Sequence, residues 1–214
     1  PDQIHTICVD HVNKENIEEV LTDVIAKGAD IVFEVGVEMM EPSLKIAMEH
    51  PEVTILNCSL NTPHKNIRTY YARMYEAKFI SGMIAGAMAD NDKIAYVADY
   101  PIYGMIANIN AFALGASCVN PRAKVYLDWS TRKDHDLDYL MTKNDIKYVS
   151  NQDMVRSINP TREYGLYKYE NGETTNIVMP VWNWGIYYEK LIQSILAGTY
   201  KSEDEGEAKA LNYW

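Results

Sequence analysis

Residues 4–35 read IHTICVDHVNKENIEEVLTDVIAKGADIVFEV, and the pattern of this stretch decides the fold class. Its first six residues are rich in β-forming side chains, whereas residues 16–26 carry apolar residues at helical spacing. Lys27 and Gly28 are typical of a helix C-terminus, and residues 31–35 form a run that is too short for a helix and rich in β-formers. The stretch therefore predicts a strand, a helix and a second strand, which together make a βαβ unit.

The same alternation of strands and helices continues downstream. The predicted elements are a helix at 42–50, a strand from 53, a long helix at about 70–89, a strand from 93, a helix at 104–119, a strand at 124–129, a short helix at 136–144 and a strand at 146–150. Alternation of this kind favours parallel sheets that are covered by helices on both faces. Because there are two α/β series of similar size, we expect two lobes that face each other across a cleft.

The pattern changes after residue 159. The pair Asn171-Gly172 lies between two β-rich runs and is a strong signal for a β-hairpin, at a sheet edge or between the lobes. A last helix is predicted at 186–196 and ends at Gly198, and residues 202–210 read as a solvated acidic segment.

Composition and charge exclude several classes of protein. The chain has 20 Lys and Arg against 30 Asp and Glu, a net charge of −10, and no basic cluster, which argues against nucleic acid as a partner. The apolar run at 79–89 is far shorter than the roughly 20 residues that a membrane-spanning helix needs. The two glycines four residues apart, Gly82 and Gly86, are therefore expected to let a helix lie close to a sheet rather than to form a membrane dimer.

Neither a metal site nor a cofactor site is predicted. Cys8, Cys58 and Cys118 lie in apolar runs, and their odd number favours free, buried thiols. The five histidines are scattered without ligand spacing, and the aspartates at 134, 136 and 138 resemble charges at a helix N-terminus rather than a calcium loop.

An enzyme is not expected, because the chain has no phosphate loop, nucleophile elbow or metalloprotease motif. Only Glu34, Asp99 and Asp153, which lie near predicted strand ends, could support an enzymatic reading.

Candidate ligand contacts lie where the predicted strands end, because parallel sheets bind ligands at the carboxyl ends of their strands. The chain has 16 Tyr and 4 Trp but only 3 Phe, and the rings of Tyr and Trp combine an apolar face with a polar edge that suits planar polar ligands. The candidates are Glu34, Gly36, Asn57, Ser59, Tyr103, Trp129, Gln152, Asp153, Trp182, Asn183 and Trp184.

Three segments resemble one family. They are YYARMYEAKFISGMIAG at 70–86, INAFALGASCVNP at 109–121 and MPVWNWGIYYEKLIQSILAGTYKS at 179–202. Their order and content are similar to the basic membrane protein family, which comprises the purine-nucleoside-receptor lipoproteins of ABC importers. The resemblance implies a type I periplasmic-binding fold with two Rossmann-like lobes, the first formed by residues 1–68 and 182–214 and the second by 69–181. The hinge crossings would fall near residues 66–70 and near Val181.

The resemblance also implies a function. A nucleoside would be held between the lobes, with Trp182 or Trp184 stacked on the purine and Asn183 bonded to its edge or to the sugar, unless this segment only plugs the hinge. The partner would be an ABC permease in the membrane, and the protein would lie outside the cytoplasm on a lipid anchor beyond this fragment.

The chain departs from the family pattern in three ways. The first βα unit is absent, the second lobe is shortened between Trp129 and Gly165, and the final strands are cut off at Trp214. We therefore expect a truncated member whose pocket lacks part of its wall. The shortened lobe, the free thiols and the missing export signal leave an alternative open: a ligand-sensing or structural domain of a larger regulatory protein, located in the cytoplasm or attached to a membrane.

Overall fold

The computed structural model describes residues 4–59, 67–99, 101, 103–151, 164–200 and 212–213, without the side chains of residues 103, 212 and 213. In chain order, the strands are β1 (Ile31–Glu34), β2 (Thr54–Cys58), β3 (Ile67–Tyr71), β4 (Lys93–Ala98), β5 (Lys124–Trp129), β6 (Tyr148–Ser150), β7 (Leu166–Glu170), β8 (Glu173–Val178) and β9 (Asn212–Tyr213). The helices are α1 (Ile17–Ala26), a 3-10 turn (Val37–Met39), α2 (Met40–Glu49), α3 (Met74–Met88), α4 (Tyr103–Val119), α5 (Leu137–Asn144) and α6 (Trp184–Leu196).

The chain forms two compact units. Unit 1 contains residues 1–72 and 185–214, and unit 2 contains residues 73–184. Each unit has its own sheet, which is wholly parallel in unit 1 and parallel at three of its five strands in unit 2. Helices pack against both sheets, so the predicted α/β class is confirmed.

The sheet of unit 1 has the strand order β1-β2-β3-β9. Helices α1 and α2 pack on one of its faces through a core that includes Leu21, Ile46 and Ile55. The helix α1 follows the predicted bounds, and Gly28 ends it at a φ of +90°, a backbone conformation that glycine adopts at little cost. The predicted helix at 42–50 begins earlier, because the 3-10 turn at Val37–Met39 leads directly into α2.

The predicted strand at residues 4–9 is wrong. These residues pair with no strand in the described part of the chain, and Ile4, Ile7 and Val9 are 53%, 38% and 44% exposed. A β-rich run becomes a strand only when a neighbouring strand bonds its backbone groups and covers its side chains. Local propensity without such a neighbour was therefore misleading here.

The sheet of unit 2 has the strand order β5-β4-β6-β7-β8. Strands β5, β4 and β6 run parallel, whereas β7 and β8 form the predicted antiparallel hairpin at the edge of the sheet. Both turn residues, Asn171 and Gly172, have positive φ values of 55° and 79°, as the two central residues of a type I′ turn require. The hairpin prediction is thus confirmed.

The glycines of α3 contact a neighbouring helix rather than the sheet, which corrects the sequence-based expectation. A Cβ on Gly82 would lie 2.0 Å from the Phe112 carbonyl oxygen of α4, and one on Gly86 would lie 2.6 Å from that of Ala116. Gly115 of α4 in turn approaches the backbone of Phe79. Helices α3 and α4 therefore pack backbone against backbone, which only glycine permits at these positions.

The start of α3, the cysteines and the N-terminus of α5 can each be compared with the prediction from the sequence. The helix predicted from residue 70 begins at Met74, because residues 67–71 form β3. All three cysteines are free as predicted, but Cys8 and Cys118 are exposed and only Cys58 is partly buried. Asp136 caps α5 as expected, since its carboxylate accepts a 2.8 Å hydrogen bond from the Tyr139 backbone N–H.

The acidic segment at 202–210 lies outside the described residues. Of the helices that the structure describes, none has both the length and the apolar character required to cross a bilayer.

Candidate functional site

The sheet of unit 1 changes from apolar to polar toward the carboxyl ends of its strands. On the face covered by α1 and α2, three residues aligned in register across the strands form an apolar row: Val32, Ile55 and Ile67. Two residues further along each strand, on the same face, lies a second aligned row, which we call the polar row: Glu34, Asn57 and Thr69. The polar row is 3%, 0% and 1% exposed, respectively.

Asn57, at the centre of the polar row, joins β1 to the loop that follows it. Its Nδ2 amide group donates to Glu34 Oε2 and to the backbone carbonyl of Gly36, each at 2.9 Å. Both hydrogens of the amide are thereby used. The loop that carries Gly36 is held against the strand ends by this single side chain.

Burial raises the pKa of the Glu34 carboxyl above its ordinary value, because a charged carboxylate is poorly solvated there. Hydrogen bonds from Ser43 and Asn57 act in the opposite direction, but they are the weaker influence. Among the described residues, no cation contributes to the shift.

Each member of the polar row carries one buried oxygen without a hydrogen-bond partner. These atoms are Glu34 Oε1, Asn57 Oδ1 and Thr69 Oγ1. Buried polar atoms are normally paired, because leaving one unpaired costs about 1–3 kcal/mol. Three such atoms lie in one aligned row, so a hydrogen-bond donor bound at this edge of the sheet would be stabilising.

Two further predicted residues lie beside the polar row in the chain. Gly36 sits immediately after β1, and a Cβ there would come within 2.6 Å of the flexible end of Met39. Ser59 follows β2, is 3% exposed, and its backbone N–H donates to the Tyr70 carbonyl at 3.2 Å. The structure thus brings Glu34, Gly36 and Asn57 into direct contact, with Ser59 at the end of the next strand.

The opposite face of the same sheet carries an aromatic cluster, formed by Phe33, Tyr70, Tyr187 and Tyr188. Tyr70 of β3 stacks on Tyr187 of α6 at a centroid distance of 4.8 Å, and its hydroxyl lies 2.9 Å from that of Tyr188. The ring of Phe33 contacts Tyr188 at 4.4 Å. Burial raises the pKa of Tyr187 to about 12 and that of Tyr188 above its ordinary value, so these phenols stay neutral. The cluster anchors α6 to the sheet.

The strand ends of unit 2 carry a different set of side chains. Trp129 ends β5 and packs on the core, with its backbone N–H donating to Asp128 Oδ1 at 2.8 Å. The other oxygen of Asp128 lies 2.7 Å from His135 Nδ1. Beyond β4, Asp99 accepts a 2.5 Å hydrogen bond from the Ser130 hydroxyl. Of these side chains, sequence analysis selected only Trp129 as a ligand contact.

Trp182 and Trp184 stack on each other. Their ring centroids are 5.0 Å apart and their planes differ by 14°. Both rings are partly buried, while Asn183 between them is exposed. Trp184 is the first residue of α6. The structure therefore brings the two predicted tryptophans together, with each ring stacked on the other.

Three predicted residues lie wholly or partly outside the described part of the chain. Gln152 and Asp153 lie outside the described residues, and only the backbone of Tyr103, at the start of α4, is described. In the described part of the chain, no three His, Cys, Asp or Glu side chains gather as metal ligands would.

Sequence reasoning missed Thr69, the third member of the polar row. It assigned residues 66–70 to a hinge crossing and began a helix at Tyr70, so β3 was not recognised. The alternation in the sequence IRTYY, with Ile67 and Thr69 on one face, was the signal that could have identified it. Asp128 and His135 carried no such signal, because only the turn after β5 brings them together.

Comparison with known proteins connects these features to a family. Residues 2–206 match the model of the Bmp family, described as "ABC transporter substrate-binding protein PnrA-like". A purine-binding protein of Brucella abortus is 24% identical over 95% of this chain and 62% of its own length. A protein of Haloferax volcanii named as an ABC transporter glucose-binding protein is 22% identical over 94% of this chain and 55% of its own. The chain thus spans less than two thirds of either relative.

Solved structures share the fold. An ABC transporter solute-binding protein of Conexibacter woesei superposes with a TM-score of 0.67 at 15% identity, over 97% of this chain and 73% of its own. A transcriptional activator of the comK gene of Bacillus halodurans gives 0.58 at 17% identity, over 66% of this chain and 50% of its own. The resemblance inferred from the sequence is confirmed: this chain belongs to the Bmp family of PnrA-like ABC transporter substrate-binding proteins.

Proposed function

We propose that this protein binds a purine nucleoside and delivers it to the membrane permease of an ABC importer. The observation that carries the proposal is the polar row, a buried set of hydrogen-bonding groups at the carboxyl ends of a parallel sheet in a substrate-binding family. Ligands of open α/β sheets bind at these strand ends. Purine chemistry is favoured by the name of the Brucella relative.

The remaining elements of the proposal follow from the family. Binding without turnover, a location outside the cytoplasm and a lipid anchor are all expected of an importer's receptor. The cleft between two lobes, the domain boundaries and the tryptophan contacts predicted from the sequence stay predictions. So does the alternative of a regulatory domain.

A sugar is the second candidate ligand, because the Haloferax relative is named for glucose binding. Sugars and nucleosides both carry hydroxyl donors, so the polar row suits either class. A purine differs in offering an aromatic face, which tryptophan or tyrosine rings can stack on.

Isothermal titration calorimetry and thermal-shift measurements test the proposal. The purified chain would be titrated with adenosine, guanosine, inosine, adenine, ribose and glucose. We expect saturable binding of at least one nucleoside and a raised melting temperature, since a ligand that binds only the folded state stabilises it. Binding of glucose alone would replace the proposal by the second candidate.

Nucleoside turnover is tested in the same samples. Chromatography after prolonged incubation with adenosine or inosine should detect no free base. Release of base that depends on Asp99 or Glu34 would contradict the non-enzymatic part of the proposal.

A further inference from the structure

The hydrogen-bond inventory of the polar row determines what kind of group it can accept. Asn57 has used both amide hydrogens, one on Glu34 Oε2 and one on the Gly36 carbonyl. Asn57 Oδ1 and, when Glu34 is ionised, Glu34 Oε1 are therefore unfilled acceptors, and Thr69 contributes a hydroxyl that can donate or accept. The polar row therefore has oxygens that lack hydrogen-bond donors.

In the described part of the chain, no protein group bonds to Glu34 Oε1, Asn57 Oδ1 or Thr69 Oγ1, although Ser43 also lies within hydrogen-bonding reach of the Glu34 carboxyl. Among the described residues, no Lys, Arg or His side chain bonds to the polar row, and none of their cations shifts the pKa of Glu34. The apolar row lies on the amino side of the polar row, and α1 and α2 cover the same face, so a ligand donor would approach from the carboxyl strand ends. A lone carboxylate with an amide and a hydroxyl is also a poor metal site, and no metal-binding group of side chains is found in the described part of the chain.

We propose that the polar row is a ligand subsite that recognises neutral or cationic groups with at least two hydrogen-bond donors, such as an amino group with a ring N–H or a pair of hydroxyls, and that it rejects anions. This inference rests on the proposed function. It adds which atoms select the ligand: Glu34 Oε1 and Asn57 Oδ1 accept from it, and Thr69 completes the contact. A phosphate group is disfavoured at this subsite, because Glu34 Oε1 and Asn57 Oδ1 are acceptors and no cation of the described residues bonds to the row.

Two shape-preserving variants test the subsite. Glu34→Gln keeps an oxygen for the Asn57 amide but places an NH₂ group where the accepting Oε1 was. Thr69→Val removes the hydroxyl and keeps the volume. Thr54→Val is the matched control, because it makes the same change in the same sheet at the amino end of β2. Circular dichroism and the melting temperature of each variant show whether it folds.

Calorimetry would compare all four proteins against adenosine, purine riboside, 2′,3′-dideoxyadenosine, adenosine monophosphate, glucose and spermidine. Purine riboside lacks the amino group of adenosine, and dideoxyadenosine lacks its vicinal hydroxyls. We expect Glu34→Gln to weaken the best donor-bearing ligand by about 10- to 100-fold, as loss of a hydrogen bond to a charged group does. For the analogue that lacks the recognised donor, the affinities of wild type and variant should differ by less than about twofold. Adenosine monophosphate should not bind.

The outcomes separate this inference from the proposed function. If wild type binds a nucleoside and both variants bind it equally well, the subsite is overturned and the proposed function stands; a row filled only by water would give this result. If wild type binds glucose or spermidine but no nucleoside, the nucleoside proposal fails. The loss of affinity for that ligand in Glu34→Gln, or its absence, then still shows whether the polar row is a ligand subsite. If wild type binds none of the compounds, both are overturned.

Discussion

Asn57 donates to the Glu34 carboxyl and to the Gly36 carbonyl through one amide group, so this side chain both pairs a buried acid and fixes the loop that follows β1. Replacing it by Leu keeps most of the volume but leaves Glu34 Oε2 and the Gly36 oxygen without donors. We expect a loss of about 2–4 kcal/mol in the free energy of unfolding. Urea denaturation measures it.

The matched control is Asn176→Leu on β8, where the asparagine is exposed. A surface substitution of this kind changes stability by less than about 0.5 kcal/mol. Equal effects of the two variants would mean that the Asn57 amide stabilises neither partner.

The raised pKa of Glu34 predicts a specific pH dependence. Its folded-state pKa lies above the unfolded value of about 4.5, so its favourable contribution is complete below that value and is lost as pH rises through the folded-state pKa. The glutamine in Glu34→Gln cannot ionise, so this variant does not lose stability through that group as pH rises. We therefore expect the stability of the variant relative to wild type to increase between pH 4 and pH 7, as followed by thermal unfolding.

Glu38→Gln is the control for this experiment, because Glu38 is exposed on the neighbouring turn. Its stability difference from wild type should stay nearly constant over the same range. A constant difference for Glu34→Gln as well would show that the carboxyl ionises normally in the folded protein.

The backbone contact of α3 with α4 predicts a graded response to added methyl groups. An alanine Cβ at position 82 would lie 2.0 Å from the carbonyl oxygen of Phe112. A Cβ at position 86 would lie 2.6 Å from the carbonyl oxygen of Ala116. Both oxygens belong to backbone that cannot rotate away, so the helices must separate. We expect Gly82→Ala to cost more than Gly86→Ala, with losses of about 1–3 kcal/mol or more, measured by urea denaturation.

Ala87→Ser on the exposed side of α3 serves as the reference and should be almost neutral. If Gly82→Ala proved as stable as this reference, the close helix contact would be wrong.

Trp182 is expected to contribute to nucleoside binding. Stacking of a base on an aromatic ring is worth about 1–3 kcal/mol, so Trp182→Ala should weaken the nucleoside about 5- to 150-fold in calorimetry. Tyr139→Ala is a suitable control, since Tyr139 is an exposed aromatic residue on α5. If affinity is unchanged in both variants, the Trp182–Trp184 stack serves structure alone.

Sequence patterns identified the elements that repeat a regular period and failed where tertiary context decides. The helix α1 and the hairpin at Asn171-Gly172 follow from local side-chain spacing and turn chemistry, and both were predicted closely. The run at residues 4–9 has the same β-forming composition as true strands, but a strand also needs a neighbour, which composition does not reveal. The position of Gly82 against α4 likewise depends on how distant segments pack.

The candidate site shows the same division. Glu34 and Asn57 were predicted because polar residues at the ends of apolar strands stand out in a sequence. Their alignment with Thr69 was not predicted, since it depends on the register of three strands. The hydrogen bonds that leave particular oxygens unfilled depend on side-chain orientations, which no sequence pattern specifies.

The discontinuity of unit 1 has a consequence for biosynthesis. Residues 4–72 leave the ribosome before any of unit 2, whereas α6 and β9, which complete the aromatic cluster and the sheet, are made after it. At about 5–20 residues per second, this delay is on the order of ten seconds. Unit 2 can close its sheet during that interval, whereas the face of the first sheet that carries Phe33 and Tyr70 stays uncovered until α6 is made. Apolar surface exposed for that long during synthesis is prone to aggregation, which makes the early segment a candidate for chaperone binding.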